Sequence, residues 1–262
     1  MKIIYDYQIF YFQRYGGISR YFYELAKNIN LLPGGHSASI VAGLYNNQYI
    51  RPGTFVKGFK NSGLFSKIFH NRFYDRSQAA AALLSKWLGS SCGIYHETYY
   101  HSKLKVPKGA LLVTTIHDMI YEKFPEQFTN PQDLIRDKKR SIFNAHHIIA
   151  VSEATKKDVQ DIYGIPGEKI TVVHHGVSLF EKASHSKHSF KPGFSKPFLL
   201  YVGRREGYKN ARLLLEAYAS NDALKKGFDL VFFGGDGESV EEKSYSHTQR
   251  ITPGVHYLQG DD

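Results

Sequence analysis

Apolar runs alternate with amphipathic stretches along the chain. Residues 2–5 form a short run that reads as a buried strand. After Gly16 and Gly17, apolar side chains recur at Ile18, Tyr21, Phe22, Leu25, Ala26 and Ile29, a helical spacing that turns one face inward. SASIVAGL (37–44) and CGIYHET (92–98) predict two further strands. GALLVTTIHD (109–118) is an apolar, β-branched run that stops at a polar pair. AHHIIAVS (145–152) predicts another strand, and EATKKDVQDIYG (153–164) a helix with Ser152 placed to cap it and Gly164 to end it. EKITVVHHG (168–176) closes this half.

A polar stretch without clear period follows, SLFEKASHSKHSFKPGFSKP, and reads as an interdomain connection. Alternation then restarts with PFLLYVG as strand, NARLLLEAYAS as helix, FDLVFFGG as strand and GVHYLQG as a further strand. Strands alternating with helices imply parallel βαβ units. The expectation is an α/β protein with two Rossmann-like domains: residues 1–177, a linker at 178–196, and a second domain at 197–262. In such sheets ligands sit beyond the carboxyl ends of the strands. Gly16, Gly17, His96, His117, Asp118, Ser152, Gly176, Arg204 and Asp236 all fall just after predicted strands, so they are expected on the rims of the two halves, facing a cleft.

Composition narrows the class. The chain has 262 residues, 42% hydrophobic and 15% aromatic, which is enough to bury a sizeable core. Its single cysteine, Cys92, excludes an internal disulfide framework and fits a reducing compartment. The first residues, MKIIYDYQIF, lack the apolar core of a secretion signal, and no stretch reaches the roughly 18 unbroken apolar residues of a spanning helix. A soluble, cytoplasmic protein is expected. Lys and Arg total 34 against 24 acids, a net charge of +10. That balance suits an anionic partner or, equally, a solvated basic face.

The order of GGISRY, TTIHDM, IIAVSEATKKDV, VVHHGV and LLYVGRREGYKNARLLLEAYA resembles the family 4 glycosyltransferases of the GT-B fold. The likeness runs along nearly the whole chain. It implies a retaining enzyme that moves a hexose, of mannose or glucose type, from a nucleoside diphosphate sugar to a polysaccharide or lipid-linked glycan acceptor. The first domain would mainly hold acceptor and the second mainly donor. A truncated remnant that binds nucleotide, acceptor or a partner without turnover is the alternative.

Each motif carries a physical reading beside a plainer one. Glycines at a strand-to-helix junction let backbone N–H groups approach a phosphate, and the helix start adds partial positive charge; a tight turn without ligand is equally consistent. The resemblance puts Gly16 and Gly17 against the donor's diphosphate and sugar. Arg20 either reaches the same cleft or pairs with Glu24 on the surface. GR-x4-K after a strand matches the family's phosphate-binding pair at Arg204 and Lys209, with Gly203 and Asp236 on the donor side. Fixed cations there stabilise the charge that grows on a leaving diphosphate, and the alternative is ordinary surface charge. Arg205 is adjacent and is not distinguished from Arg204 by sequence. The resemblance places His117 beside the transferred sugar, where it orients hydroxyls or meets the acceptor, without acting as general base; a histidine bonded to a neighbouring loop is the plainer reading. His96, Asp118 and Ser152 are expected to line the cleft.

No cofactor or metal is expected. HETYYH carries one residue more than HExxH, so His96 and His101 would fall on different helix faces. His146–His147 and His174–His175 are neighbours, which point apart on a strand, and the chain has no DxD. Nucleic acid is not expected either, because the cations are scattered and no recognised motif accompanies them. Residues 49–76 mix cations with aromatics, and Phe65, Ile68, Phe69 and Phe73 share helical spacing. They suit either a peripheral contact at the inner membrane face or a helix packed on its own domain. The family's E-x7-E pair does not occur after Pro197, so the donor domain is expected to be incomplete.

Overall fold

The computed structural model describes residues 1–60, 92–100, 106–177, 194, 196–205, 207–235 and 237–258. The segment 61–91, which contains the Phe65–Phe73 pattern, and Asp236 lie outside the described residues. The chain separates into two compact units, 1–177 and 178–262.

In the first unit the strands are β1 (Lys2–Tyr5), β2 (Ser37–Tyr45), β3 (Val56–Lys60), β4 (Ile94–Glu97), β5 (Leu111–Ile116), β6 (His147–Ala150) and β7 (Ile170–Val172). They form one parallel sheet in the order β3-β2-β1-β4-β5-β6-β7. The order reverses between β1 and β4, so the crevice rule points to the carboxyl ends of these strands. Asp6, just past β1, knits those ends together. It accepts from Thr98 N at 3.0 Å, Thr98 Oγ1 at 2.6 Å and Gln8 Nε2 at 2.6 Å. The switch point is thus a rigid floor.

Among the described residues five helices accompany the sheet: α1 (Gln8–Phe12), α2 (Gly17–Ile29), α3 (Ile120–Lys123), α4 (Gln132–Asn144) and α5 (Glu153–Tyr163). The face of α2 foreseen from its spacing is the one that packs. Phe22 and Ala26 are fully buried, with Ile18, Tyr21, Leu25 and Ile29 beside them against β1 and β2. Burying the Phe22 ring contributes about 1.5–3 kcal/mol. A second core lies where Ile142 of α4 and Val159 of α5 meet Ile116, Ile148 and Ile170. Helix α5 begins where the sequence places it, with Thr155 N donating to Ser152 Oγ at 3.1 Å, and ends at Gly164 in the left-handed conformation. Strand β3 and helix α4 are elements the apolar pattern did not predict.

The second unit holds β8 (Phe198–Val202), β9 (Asp229–Phe233) and β10 (Val255–Leu258), parallel in the order β10-β9-β8. Helices α6 (Ala211–Ser220), α7 (Asp222–Gly227) and α8 (Val240–Thr248) connect them. Leu215 and Tyr218 of α6 pack with Leu230, Phe232, Ile251 and Val255.

Candidate functional site

In the first unit, the glycine junction is shaped by a side chain that sequence reading passed over. Gln13, just after α1, turns back so that its Oε1 accepts from Ser19 N at 3.1 Å. Gly16 precedes α2 in extended backbone (φ 170°), which any residue can adopt. Its lack of a side chain matters for space, because a Cβ there would run into the Gln13 carboxamide. Gly17 faces open space and is exposed. The N–H groups of Gly17 and Ile18 have no acceptor among the described residues, as is usual at a helix start, so two donors there remain unspent. Arg20 is exposed on the same turn. The predicted Arg20–Glu24 pair is not formed among the described residues, since Glu24 pairs instead with Lys27 at 3.8 Å.

His117 lies just past β5 and meets α2 through aromatic contacts. Its ring lies 5.5 Å from Tyr21 edge-on, 6.1 Å from Phe22, and stacked 5.6 Å from His175 at 18°. His117 Nε2 is buried with no hydrogen-bond partner among the described residues. Burial, then His175 and Lys138, push its pKa down to about 3, so it presents a neutral imidazole. The neighbouring turn is pinned from beneath by Lys138 of α4, which donates to the Asp118 carbonyl at 3.0 Å and to Glu122 Oε2 at 2.9 Å. Asp118 itself is partly exposed, and its carboxylate accepts from Ile120 N at 3.2 Å.

Two expected rim residues are otherwise engaged. His96 is only 3% exposed and sits inside the core between Tyr5 and Phe22, with Nε2 2.8 Å from Thr115 Oγ1. Burial, then the neighbouring His117, drives its pKa down to about 3. It belongs to the packing beneath His117 rather than to an open rim, because it is within β4 and not past its end. Ser152 spends its hydroxyl on the α5 cap and on Thr155 Oγ1 at 3.1 Å. Gly176 is exposed at the end of the unit, next to His175.

The second unit engages its two adjacent arginines differently. Arg205 turns inward: Nε donates to Glu242 Oε1 at 2.8 Å, and its terminal nitrogens donate to the carbonyls of Gly234 at 3.1 Å and Gly237 at 2.6 Å. Its guanidinium also lies 5.0 Å from the Tyr257 ring centre. Arg204 is exposed and has no ion pair among the described residues. Gly203 makes the reversal possible at φ +128°, a conformation that strains any residue with a side chain. Tyr201 Oη donates to the carbonyls of Arg204 at 2.7 Å and Lys209 at 3.3 Å, tying both ends of the loop to β8. Lys209 is exposed, its Nζ 5.4 Å from the Tyr208 ring centre.

A cavity of about 920 Å³ opens at the carboxyl ends of β8 and β9, lined by Arg204, Gly235, Glu238, Ser239, Glu241 and Tyr245 among others. Two of its other cations are engaged, Arg205 with Glu242 and Arg212 with Glu216 at 2.7 Å. Arg204 is therefore the lining cation without an ion pair among the described residues. Lys209 is not part of that lining. Helix α8 starts at the cavity with a reciprocal Ser239–Glu242 capping box, which fixes its first turn. An anion gripped by the Arg204 guanidinium, with hydroxyls donating to the exposed carboxylates of Glu238 and Glu241 on the same lining, is what this arrangement suits chemically. Sequence reading missed the helix α8 lining, Lys138 and His175. The S-x-x-E signature at 239–242 was the available signal for the first.

Residues 15–180 match the profile of Glycosyltransferase Family 4. No significant match is found among curated protein sequences. Solved structures share the fold at low identity. TarM aligns with 99% of this chain and 76% of its own, at TM-score 0.65 and 10% identity. WaaG, a glycosyltransferase involved in lipopolysaccharide biosynthesis, aligns with 100% of this chain and 70% of its own, at TM-score 0.62 and 15% identity. The lipopolysaccharide outer core galactosyltransferase WaaB does so over 100% and 69%, at TM-score 0.57 and 17% identity.

Proposed function

The chain belongs to glycosyltransferase family 4, and from that premise we propose that it moves a hexose, of mannose or glucose type, from a nucleoside diphosphate sugar to a polysaccharide or lipid-linked glycan, with retention of configuration. The observation that carries the donor assignment is the division of labour at 204–205: one arginine is consumed by the fold and the other faces a pocket of nucleotide size. Arg204 grips the diphosphate, and its charge gains most as the glycosidic bond stretches and negative charge accumulates on the leaving oxygen. Lys209 adds a mobile point charge, and Gly203, Asp236 and the acids of the pocket complete the donor side. In the first unit, the Gly16–Gly17 junction lets backbone N–H groups at the start of α2 approach a phosphate.

His117 serves the transferred sugar and the acceptor as a neutral hydrogen-bonding group. An imidazole held to about 3 is a poor proton acceptor, so the acceptor's proton passes to the departing phosphate oxygen, whose basicity rises as the bond to the sugar breaks. Arg20 and Asp118 flank the acceptor side. No metal takes part in this scheme, because the cations of the second unit supply the charge. The lipopolysaccharide roles of WaaG and WaaB support a glycan or glycolipid acceptor. None of the described helices is long and apolar enough to cross a membrane. A lipid-linked acceptor is proposed to be met peripherally, at the inner membrane face, as the mixed cations and aromatics of residues 49–76 suit. The test is nucleoside diphosphate release with UDP- and GDP-linked glucose and mannose, with product glycans read by mass spectrometry. Release and transfer that depend on Arg204 support the assignment; no release from any donor overturns it.

A further inference from the structure

We propose that Lys138, a buried cation of α4, is the positioning residue of the His117–Asp118 turn. The inference rests on the reading above, in which that turn meets the sugar.

Lys138 is 1% exposed, yet it makes no contact with the open surface of the site. Its Nζ donates to the Asp118 carbonyl and to Glu122 Oε2, and lies 3.9 Å from Asp118 Oδ1. The other Glu122 oxygen accepts from Tyr163 Oη at 3.2 Å, so α3, α4 and α5 are joined through one carboxylate. The rings of Tyr100 and Tyr121 flank the ammonium at 5.5 and 5.7 Å. Tyr100 Oη in turn donates to the Thr115 carbonyl at 3.3 Å. The backbone is therefore held at Thr115 and at Asp118, on either side of His117.

Stability alone does not account for this arrangement. A buried ion pair must overcome the desolvation of both charges, and apolar groups of similar volume often serve a core as well. What an apolar pair lacks is a directional donor on the Asp118 carbonyl, one residue from His117. With the backbone fixed and the ring stacked on His175, His117 Nε2 is left with its hydrogen-bonding capacity unspent among the described residues. Misplacing such a group by an ångström typically costs about 100-fold in rate.

The test uses the double variant Lys138→Met with Glu122→Gln, which removes both charges and orphans neither. Thermal unfolding, kcat and donor KM, and the NMR titration of the His117 ring are measured. The expected result is cooperative unfolding, kcat down about 100-fold with KM within about threefold, and His117 titrating at higher pH because one of the charges holding it down is gone. A folded double variant with wild-type kcat and an unmoved His117 titration overturns the proposal. Should the double variant fail to fold, Lys138→Arg keeps the charge but spreads its donors over a planar fork; wild-type kcat in that variant overturns the proposal equally. Absence of transfer by the wild-type chain with every donor refutes the transferase reading, and the His117 titration then decides the positioning claim alone.

Discussion

Replacing Arg204 and Arg205 in turn by alanine separates catalysis from folding within two adjacent residues. Arg205 has its side chain 8% exposed and engages Glu242, two glycine carbonyls and the Tyr257 ring. Removing it strands the Glu242 carboxylate, whose side chain is 20% exposed, and leaves the two carbonyls without their donor. Loss of one partner from such a pair costs about 3–5 kcal/mol. Arg204 is exposed, with no ion pair among the described residues, so Arg204→Ala changes stability by no more than about 0.5 kcal/mol. Its effect falls on turnover instead: loss of one preorganised charge at a developing oxyanion costs about 2.7–4 kcal/mol, or roughly 100- to 1,000-fold. Partial exposure favours the lower end. Urea denaturation and nucleoside diphosphate release, measured on both variants, decide the matter. The reasoning is refuted if Arg204→Ala turns over within about threefold of wild type, or if Arg205→Ala unfolds at the wild-type denaturant midpoint.

Gly17→Ala meets open space at the start of α2, so the variant gains about 0.5 kcal/mol by calorimetry while losing transfer activity if backbone must approach the donor there; full activity would remove Gly17 from the site. Phe22→Ala empties a fully buried position between Tyr5, His96 and His117 and destabilises by about 3–5 kcal/mol, which a thermal melt checks. His96 and His117 both titrate near 3 in the fold against 6.5 ordinarily, so between those pH values the unfolded chain binds protons that the folded chain does not. Stability accordingly rises with pH across that window and levels off above it, by at most about 5 kcal/mol per histidine. Glu97, its pKa raised by burial and then by Asp6, works the other way, since the folded chain keeps a proton that the unfolded chain loses above about 4.5. His96→Gln therefore flattens the rise between pH 4 and 6.5 in urea titrations, and an unchanged slope contradicts the assignment. Excess chelator leaves transfer within about twofold of its untreated rate, whereas a requirement for added magnesium or manganese would disprove the metal-free scheme.

Elements with an uninterrupted apolar period were legible in the sequence. Helix α2 showed Phe22 and Ala26 among its spaced apolar residues, β5 showed an apolar run with β-branched residues, and α5 carried both its cap and its terminator. Helix α4 was not legible, because Lys138 occupies a core-facing position between Leu134 and Ile142 and breaks the stripe. Strand β3 buries only Val56, so no alternation announces it. Strand ends were legible to the extent that the apolar runs mark them. Position after a strand put His117 and Arg204 just past β5 and β8, as the structure has them, but gave no way to see that His96 lies within β4. Nor could adjacency distinguish Arg204 from Arg205, since the partners that claim Arg205 stand 29 to 37 residues away. Gln13 and His175 shape the site through contacts 6 and more positions distant, which no local pattern encodes.

The central claim is that the cavity beside Arg204 takes the diphosphate of a nucleotide. Isothermal titration of UDP and GDP into the wild-type chain and into Arg204→Ala tests it most directly. The account predicts saturable binding of at least one of the two, weakened about 10- to 100-fold in the variant, as expected for loss of a charge-assisted hydrogen bond. Binding of equal strength in both proteins, or no binding of either nucleotide to the wild type, would contradict it.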